Sequence, residues 1–144
     1  LMGAIGLSVG LGDMEHANIQ RSQIKTLRKS WAANPWPIYY LGEDAFAYYC
    51  AAAGWKPLLI ETPMEPDAGL LCHSATAWAL APNLRRRLEL TQQIMDRGQF
   101  PATTMAYGVN FYRTGTSDVP WAFGRPSEVY LDYYFLKELR GEQP

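Results

Sequence analysis

The chain has 144 residues, the length of one typical domain, and 48% of them are hydrophobic, which is ample for a packed core. Its formal net charge of −1 gives no general attraction toward nucleic acid, so no nucleic-acid partner is expected. No apolar run approaches the roughly 20 residues of a membrane span, and the N-terminus lacks the basic region of a signal peptide. The cysteines, Cys50 and Cys72, are too few for a disulfide framework. We therefore expect reduced thiols in a cytoplasmic protein without a membrane partner.

The first 31 residues predict a strand, a tight loop and a helix. Residues 4–9 form a short apolar run bounded by glycine, which is typical of a buried strand. Gly10 and Gly12 favour a sharp turn because glycine tolerates positive φ, and Asp13 stands where a helix N-cap would stand. Beyond Asp13, apolar residues recur at three-, four- and seven-residue steps as far as Trp31, which predicts an amphipathic helix.

This first loop is a candidate anion site. A glycine loop that opens a helix presents backbone N–H groups and the positive end of the helix dipole, which bind phosphate or carboxylate. Gly10, Gly12 and Asp13 are therefore predicted to bind the ligand, and His16 in the first helical turn is a predicted catalytic base. The spacing G-x-x-x-G-x-G matches neither the dinucleotide fingerprint nor a P-loop, so it indicates no particular cofactor. The alternative is a plain turn followed by a solvated helix start.

A second candidate loop follows the next strand. Residues 36–41 predict a strand, residues 45–53 an alanine-rich helix and residues 56–61 a third strand. Together with the first stretch this gives a parallel βαβαβ pattern, in which the strand C-terminal ends face one crevice. Glu43 and Asp44, which follow the second strand, are therefore predicted catalytic residues, and their loop should share a sheet edge with the 10–15 loop.

This order of strand, small-residue loop, basic helix, strand and acidic loop is similar to the start of many nucleotide-sugar transferases. The likeness is one of topology, and it implies a transferase that binds a nucleotide. The chain departs from that pattern because no Asp-x-Asp pair follows the third strand; the similar spacing Asp13-x-Glu15 lies in the first loop. Two cysteines and two histidines match no standard zinc spacing, so no metal site is predicted.

The second half of the chain changes pattern. Residues 70–80 are apolar and compatible with helix or strand, whereas Pro82 predicts the start of a helix that runs to residue 97. Residues 102–112 alternate as a strand does, and residues 119–123 predict a short edge strand. Arg113, directly after the alternating strand, is a further predicted ligand-binding residue.

The last predicted helix, residues 128–139, has almost no polar face. One apolar stripe of such a helix can pack on a sheet, and the opposite stripe then needs another cover. This pattern predicts a homodimer that forms through the C-terminal helix, since a symmetric contact covers the same stripe in both chains.

These patterns predict a single domain, residues 1–144, of the α/β or α+β class. Its mixed sheet has a parallel βαβαβ first half with helices packed on it. The leading interpretation is a small-ligand-binding domain for a phosphate- or nucleotide-bearing molecule, acting as a transferase or hydrolase if it is an enzyme. Two alternatives stay open: a non-catalytic, self-associating interaction protein, and a hydrolase that pairs Cys72 with His16.

Overall fold

A computed structural model of the protein describes residues 2–59, 63–73, 76, 79–100, 102–103, 122–123 and 128–136. Within them, the helices are Met2–Ser30 (α1), Asp44–Ala52 (α2) and Pro82–Arg87 (α3). The strands are Ile38–Leu41 (β1), Lys56–Pro57 (β2), Gly69–His73 (β3), Leu88–Arg97 (β4), Ala102–Thr103 (β5), Ala122–Phe123 (β6) and Glu128–Leu136 (β7). Five strands form a mixed sheet in the order β2-β1-β3-β7-β4, and β5 pairs with β6. The combination of helices with a mixed sheet confirms the predicted α+β class.

The chain divides into two compact units. One unit comprises Leu1–Gln23 and Met95–Val129, and the other comprises Ile24–Ile94 and Tyr130–Pro144. Helix α1 and strands β4 and β7 contribute residues to both units. The single domain expected for residues 1–144 stays a prediction.

The parallel part of the sheet is built around β1. It pairs in parallel with β2, with Tyr39 opposite Lys56, and in parallel with β3, with Tyr39 opposite Leu70. The strand predicted at residues 36–41 is confirmed at 38–41, and the helix predicted at 45–53 is confirmed at 45–52. The third predicted strand is confirmed at residues 56–57; residues 58–59 are not in a strand, and 60–61 lie outside the described residues.

The prediction for the first stretch is wrong, because α1 is helical from Met2 to Ser30. The predicted strand at 4–9 and the turn at Gly10 and Gly12 are absent from this stretch, so the full parallel βαβαβ arrangement is not formed. Each glycine costs an established helix only about 1 kcal/mol relative to alanine. No proline interrupts this stretch, so a helix rich in good helix formers beyond Asp13 propagates back through the glycines.

Replacing Gly10 with alanine should therefore raise the free energy of unfolding by about 0.5–1 kcal/mol. A Cβ at Gly10 would have no atom within 4 Å, so the change acts on backbone entropy alone. The matched control is Gly54→Ala, which also has open space but a φ of +87° and should lose about 1 kcal/mol. Urea unfolding followed by circular dichroism measures both; a loss of stability in Gly10→Ala would contradict a helical Gly10.

The predicted C-terminal helix is also wrong, because residues 128–136 form the strand β7. β7 lies between β3 and β4, and it pairs antiparallel with β3, Leu71 opposite Tyr133. Leu131 and Asp132, which point to opposite faces of the sheet, are both buried. Burial of side chains on both faces of β7 explains the missing polar side. The homodimer stays a prediction, although the helix on which it was based is not formed. Residues 137–139 lie outside the described part.

The helix predicted for residues 82–97 begins at Pro82, as expected, but ends at Arg87. Leu88–Arg97 is the strand β4 at one edge of the sheet, and most of its side chains are exposed. The ambiguous run at 70–80 is a strand up to His73. The strands predicted at 102–112 and 119–123 are confirmed at 102–103 and 122–123, and their other residues are not described.

Two layers of side chains cover the sheet within the unit Ile24–Ile94 and Tyr130–Pro144. On one face, a buried cluster contains Tyr39, Ala68, Leu70, Cys72 and Leu80. The other face carries aromatic packing: Phe46 of α2 lies edge-on to Tyr40, and Trp31 lies 4.3 Å from Tyr133 between ring centroids. Among the described residues, no helix combines the length and the apolarity needed to cross a membrane.

Candidate functional site

A cavity of about 340 Å³ adjoins the buried cluster of Tyr39, Leu70 and Cys72, and we call it the leucine cavity. Its size is at the small end of the range for ligand pockets. The lining residues are Leu41, Leu58, Leu59, Pro63, Met64, Ala79, Leu80, Ala81, Asn83, Leu84, Arg87 and Leu136. All but two of them are apolar, which is the composition of a site that binds by excluding water.

Helix α3 supplies the two polar residues of the leucine cavity. Pro82 occupies the first turn, where its missing N–H costs no hydrogen bond. Asn83 and Arg87 are four residues apart and therefore lie on the same side of the helix, both exposed to solvent. Leu84, between them in sequence, is half-buried against the cluster. The helix thus places one positive charge and one amide at the rim of an apolar space.

The leucine cavity offers groups that can bind a ligand. Among the described residues that line it, none carries a carboxylate, imidazole, thiol or hydroxyl group. The guanidinium of Arg87 can form two parallel hydrogen bonds with an anionic group.

Burial disfavours ionisation of the thiol of Cys72, which belongs to the buried cluster beside the cavity. Burial, with a smaller contribution from the negative charge of Asp132, raises the pKa of Cys72 to about 12. Asp132 lies opposite Cys72 across the β3–β7 pair and accepts a hydrogen bond of 2.7 Å from the side-chain amide of Gln93. Burial also raises the pKa of the Cys50 thiol. Neither thiol is ionised near neutral pH, whereas nucleophilic catalysis needs a thiolate.

His73 does not assist Cys72, because adjacent residues of a strand point to opposite faces of the sheet. Its ring packs edge-on to Phe46, with 5.8 Å between the ring centroids. Burial lowers the pKa of His73, and the charge of Asp132 opposes this shift. Cys72 and His73 therefore form no nucleophile–base pair, whereas the hydrolase that pairs Cys72 with His16 stays a hypothesis, because His16 belongs to the other unit.

The predicted site residues of the first stretch all lie on α1, in the unit Leu1–Gln23 and Met95–Val129. Gly10 and Gly12 lie inside the helix. Their N–H groups are therefore positioned for hydrogen bonds within the helix and not for a loop that binds an anion. His16 is 5% exposed and accepts a hydrogen bond of 3.2 Å from the side-chain amide of Gln20, one turn later. The argument for anion binding at Gly10, Gly12 and Asp13 therefore loses its geometric basis.

Glu15, the acidic neighbour of these residues, holds the backbone of the same unit. Its carboxylate accepts hydrogen bonds from the N–H groups of Gln99, at 2.8 and 2.9 Å, and Phe100, at 3.0 Å. These charge-assisted hydrogen bonds attach the backbone at Gln99 and Phe100 to helix α1, so the Glu15 carboxylate is occupied by contacts within the protein. Among the described residues, no three His, Cys, Asp or Glu side chains are grouped to hold a metal ion.

The remaining predicted residues lie elsewhere. Glu43 and Asp44 follow β1, as expected, in the unit Ile24–Ile94 and Tyr130–Pro144, and both are exposed. Glu43 is the N-cap of α2 but makes no capping hydrogen bond through its side chain, and Asp44 has a φ of +53°. The predicted partners of these residues on α1 belong to the other unit, and Arg113 lies outside the described residues.

The sequence analysis did not anticipate the leucine cavity. The available signal was the spacing of Leu80, Leu84 and Leu88, which recur every four residues around the helix start at Pro82. Arg87 was harder to find, because it is one of three consecutive arginines, which a helix spreads around its surface.

Comparison with protein-family models, curated proteins and solved structures found no match.

Proposed function

We propose that the protein binds a small amphipathic anion, with the apolar body in the leucine cavity and the acidic group at Arg87. The observation that carries this proposal is an apolar cavity of about 340 Å³ with Arg87 on its rim. The proposal keeps the small-ligand function that the sequence suggests and moves its site from the glycine stretch to α3. A carboxylate or a phosphate satisfies the same guanidinium.

The two parts of the ligand should contribute unequally. Removing an apolar chain from water is favourable by about 25 cal/mol for each Å² that the cavity covers, so the apolar body supplies most of the affinity. Arg87 is exposed, and exposed ion pairs contribute only about 0.2–1 kcal/mol. The charge therefore orients the ligand at the rim. Transferase and hydrolase activities are not part of this proposal, because it rests on the described lining residues, which carry binding groups.

Decanoate is a suitable probe, and Leu84→Trp should abolish its binding because the indole fills the cavity. Arg87→Gln should weaken binding about threefold, as expected for the loss of one exposed ion pair. Arg86→Gln is the matched control, since Arg86 is the preceding arginine of α3 and does not line the cavity. Isothermal titration calorimetry measures the affinities, and circular dichroism checks that each variant is folded. Full binding by folded Leu84→Trp would contradict the proposed site.

A further inference from the structure

The rim of the leucine cavity carries two polar side chains, and together they restrict the acidic group that a ligand can place there. Asn83 and Arg87 are four residues apart on α3, so their Cβ atoms are about 5–6 Å apart. Both residues line the cavity, and both are exposed to solvent. One anionic group at the rim can therefore contact both side chains.

The orientation of the Asn83 amide follows from a hydrogen bond within α3. The backbone N–H of Leu84 donates a hydrogen bond of 2.9 Å to Oδ1 of Asn83. A backbone N–H can only donate, so the atom that accepts this bond is the amide oxygen, and the other atom of the amide is the NH2 nitrogen. An NH2 group can only donate as well. Asn83 therefore offers a ligand donor hydrogens, and its oxygen is already in use.

The guanidinium of Arg87 is the second donor at the rim. Its N–H groups form a planar fork, which can engage two oxygens of one anion with parallel hydrogen bonds. A carboxylate has two oxygens, so Arg87 alone engages both of them. A phosphate monoester has three terminal oxygens, so Arg87 can bind two of them and the NH2 group of Asn83 can bind the third. The pair of donors therefore matches a tetrahedral anion better than a planar one.

The charge around α3 is a second, independent argument for phosphate. The helix contains Arg85, Arg86 and Arg87 and no acidic residue, and with Glu89, which follows on β4, three positive charges and one negative charge give residues 82–89 a net charge of +2. A helix spreads successive side chains around its surface, so Arg85 and Arg86 act on an anion at Arg87 through space and not by contact. A phosphate monoester carries about −1.5 to −2 charges at pH 7, whereas a carboxylate carries a single charge. The phosphate therefore gains more from this field, which salt weakens at an exposed helix.

We infer that the leucine cavity binds an alkyl phosphate monoester, with the alkyl chain inside the cavity and the phosphate shared between Arg87 and Asn83. This inference rests on the proposed function and narrows the acidic group of the ligand from any small anion to a phosphate. Asn83 determines the specificity, because its NH2 group binds the oxygen that Arg87 leaves free. The alkyl chain remains the main source of affinity, since most of the lining is apolar.

The test compares ligands with alkyl chains of similar length and different acidic groups. Isothermal titration calorimetry of the full chain near neutral pH should show that decyl phosphate binds at least about fivefold more tightly than decanoate. Inorganic phosphate alone should bind at least about a hundredfold more weakly than decyl phosphate, because it has no apolar body to bury. Decanoate that binds as tightly as decyl phosphate would overturn the inference and leave the proposed function in place. Inorganic phosphate that binds as tightly would also overturn it, because the rim would then be a site for the free phosphate ion.

Asn83→Ala should weaken the binding of decyl phosphate about threefold and leave the binding of decanoate unchanged, a difference that a general distortion of the cavity would not produce. Asn18→Ala is the matched control, because Asn18 is an exposed asparagine of α1 and does not line the cavity. If Asn83→Ala fails to fold by circular dichroism, Asn83→Asp keeps the acceptor for the N–H of Leu84 and should weaken decyl phosphate more than decanoate, because its carboxylate repels the more highly charged ligand more strongly. Equal losses for the two ligands in the folded variant would contradict the inference. If neither ligand binds the parent chain, the inference and the proposed function are both wrong.

Discussion

Leu131→Ala should lower the free energy of unfolding by about 3 kcal/mol, within the 2–5 kcal/mol typical of a buried leucine. Leu131 is 0% exposed and lies in β7, opposite His73 of β3. Truncation there removes burial and leaves a space that the flanking strands cannot close, because the sheet hydrogen bonds fix their separation. The effect is a large fraction of the stability of a chain of this size.

Leu90→Ala provides the control for this prediction. Leu90 lies on the edge strand β4 and is 51% exposed, so its truncation should change stability by less than about 0.5 kcal/mol. Urea unfolding of the two variants and the parent chain, followed by tryptophan fluorescence, measures the difference. Equal losses in both variants would be incompatible with β7 as a buried strand and β4 as an exposed edge.

Residues 128–136 form a strand where the sequence predicted a helix, and one signal in the sequence favoured the strand. An apolar run without a polar face fits either a buried helix or a strand that is covered on both sides. The run contains Val129, three tyrosines and Phe135, and β-branched and aromatic residues favour strands. Its short length also suits a strand. The propensity was visible in the sequence, but the strands β3 and β4 that flank β7 in the sheet were not.

The error at α1 has a different origin. Glycine favours turns locally, and the sequence offers glycines where a strand-to-helix loop would need them. The cost of a few glycines in a long helix is only a few kcal/mol, and tertiary contacts outweigh it. Buried residues on the helical stretch, such as Ile24 and Leu27, provide such contacts. The shorter segments β1 and α2 were predictable, because the intrinsic propensities of their residues, the proline and glycines that flank them and the pattern of buried side chains all indicate the same structure.

The predicted site stays a prediction, but the parallel topology that grouped its residues is not formed. His16 and Glu43 were grouped by an assumed parallel topology, whereas the leucine cavity is formed by segments far apart in sequence, including Leu41, Leu84 and Leu136. Single-residue chemistry does not indicate such a site, because apolar side chains in a core and in a cavity look alike in sequence. Only the three-dimensional arrangement separates the two cases.

Alkaline pH should produce the second large loss of stability. The pKa of Cys72 is about 12 in the folded chain, against an ordinary value of 9.0, chiefly because of burial. Below pH 9, both the folded and the unfolded chain keep this proton, and stability does not depend on it. Between pH 9 and 12 the unfolded chain loses the proton and the folded chain keeps it, so unfolding becomes more favourable as the pH rises. Three pH units correspond to about 4 kcal/mol.

Comparison with Cys72→Ala isolates this effect from the other groups that titrate at alkaline pH. The variant should be less stable than the parent chain at pH 8, because it loses buried volume. The parent should lose more stability than the variant between pH 8 and pH 11, since both chains keep Cys50 and only the parent carries the buried thiol of Cys72. Urea unfolding at the two pH values gives both free energies, and the difference between the chains should shrink by about 2–3 kcal/mol. A difference that does not change with pH would mean that Cys72 titrates in the folded chain as it does in water, and that its strand is not buried in the sheet.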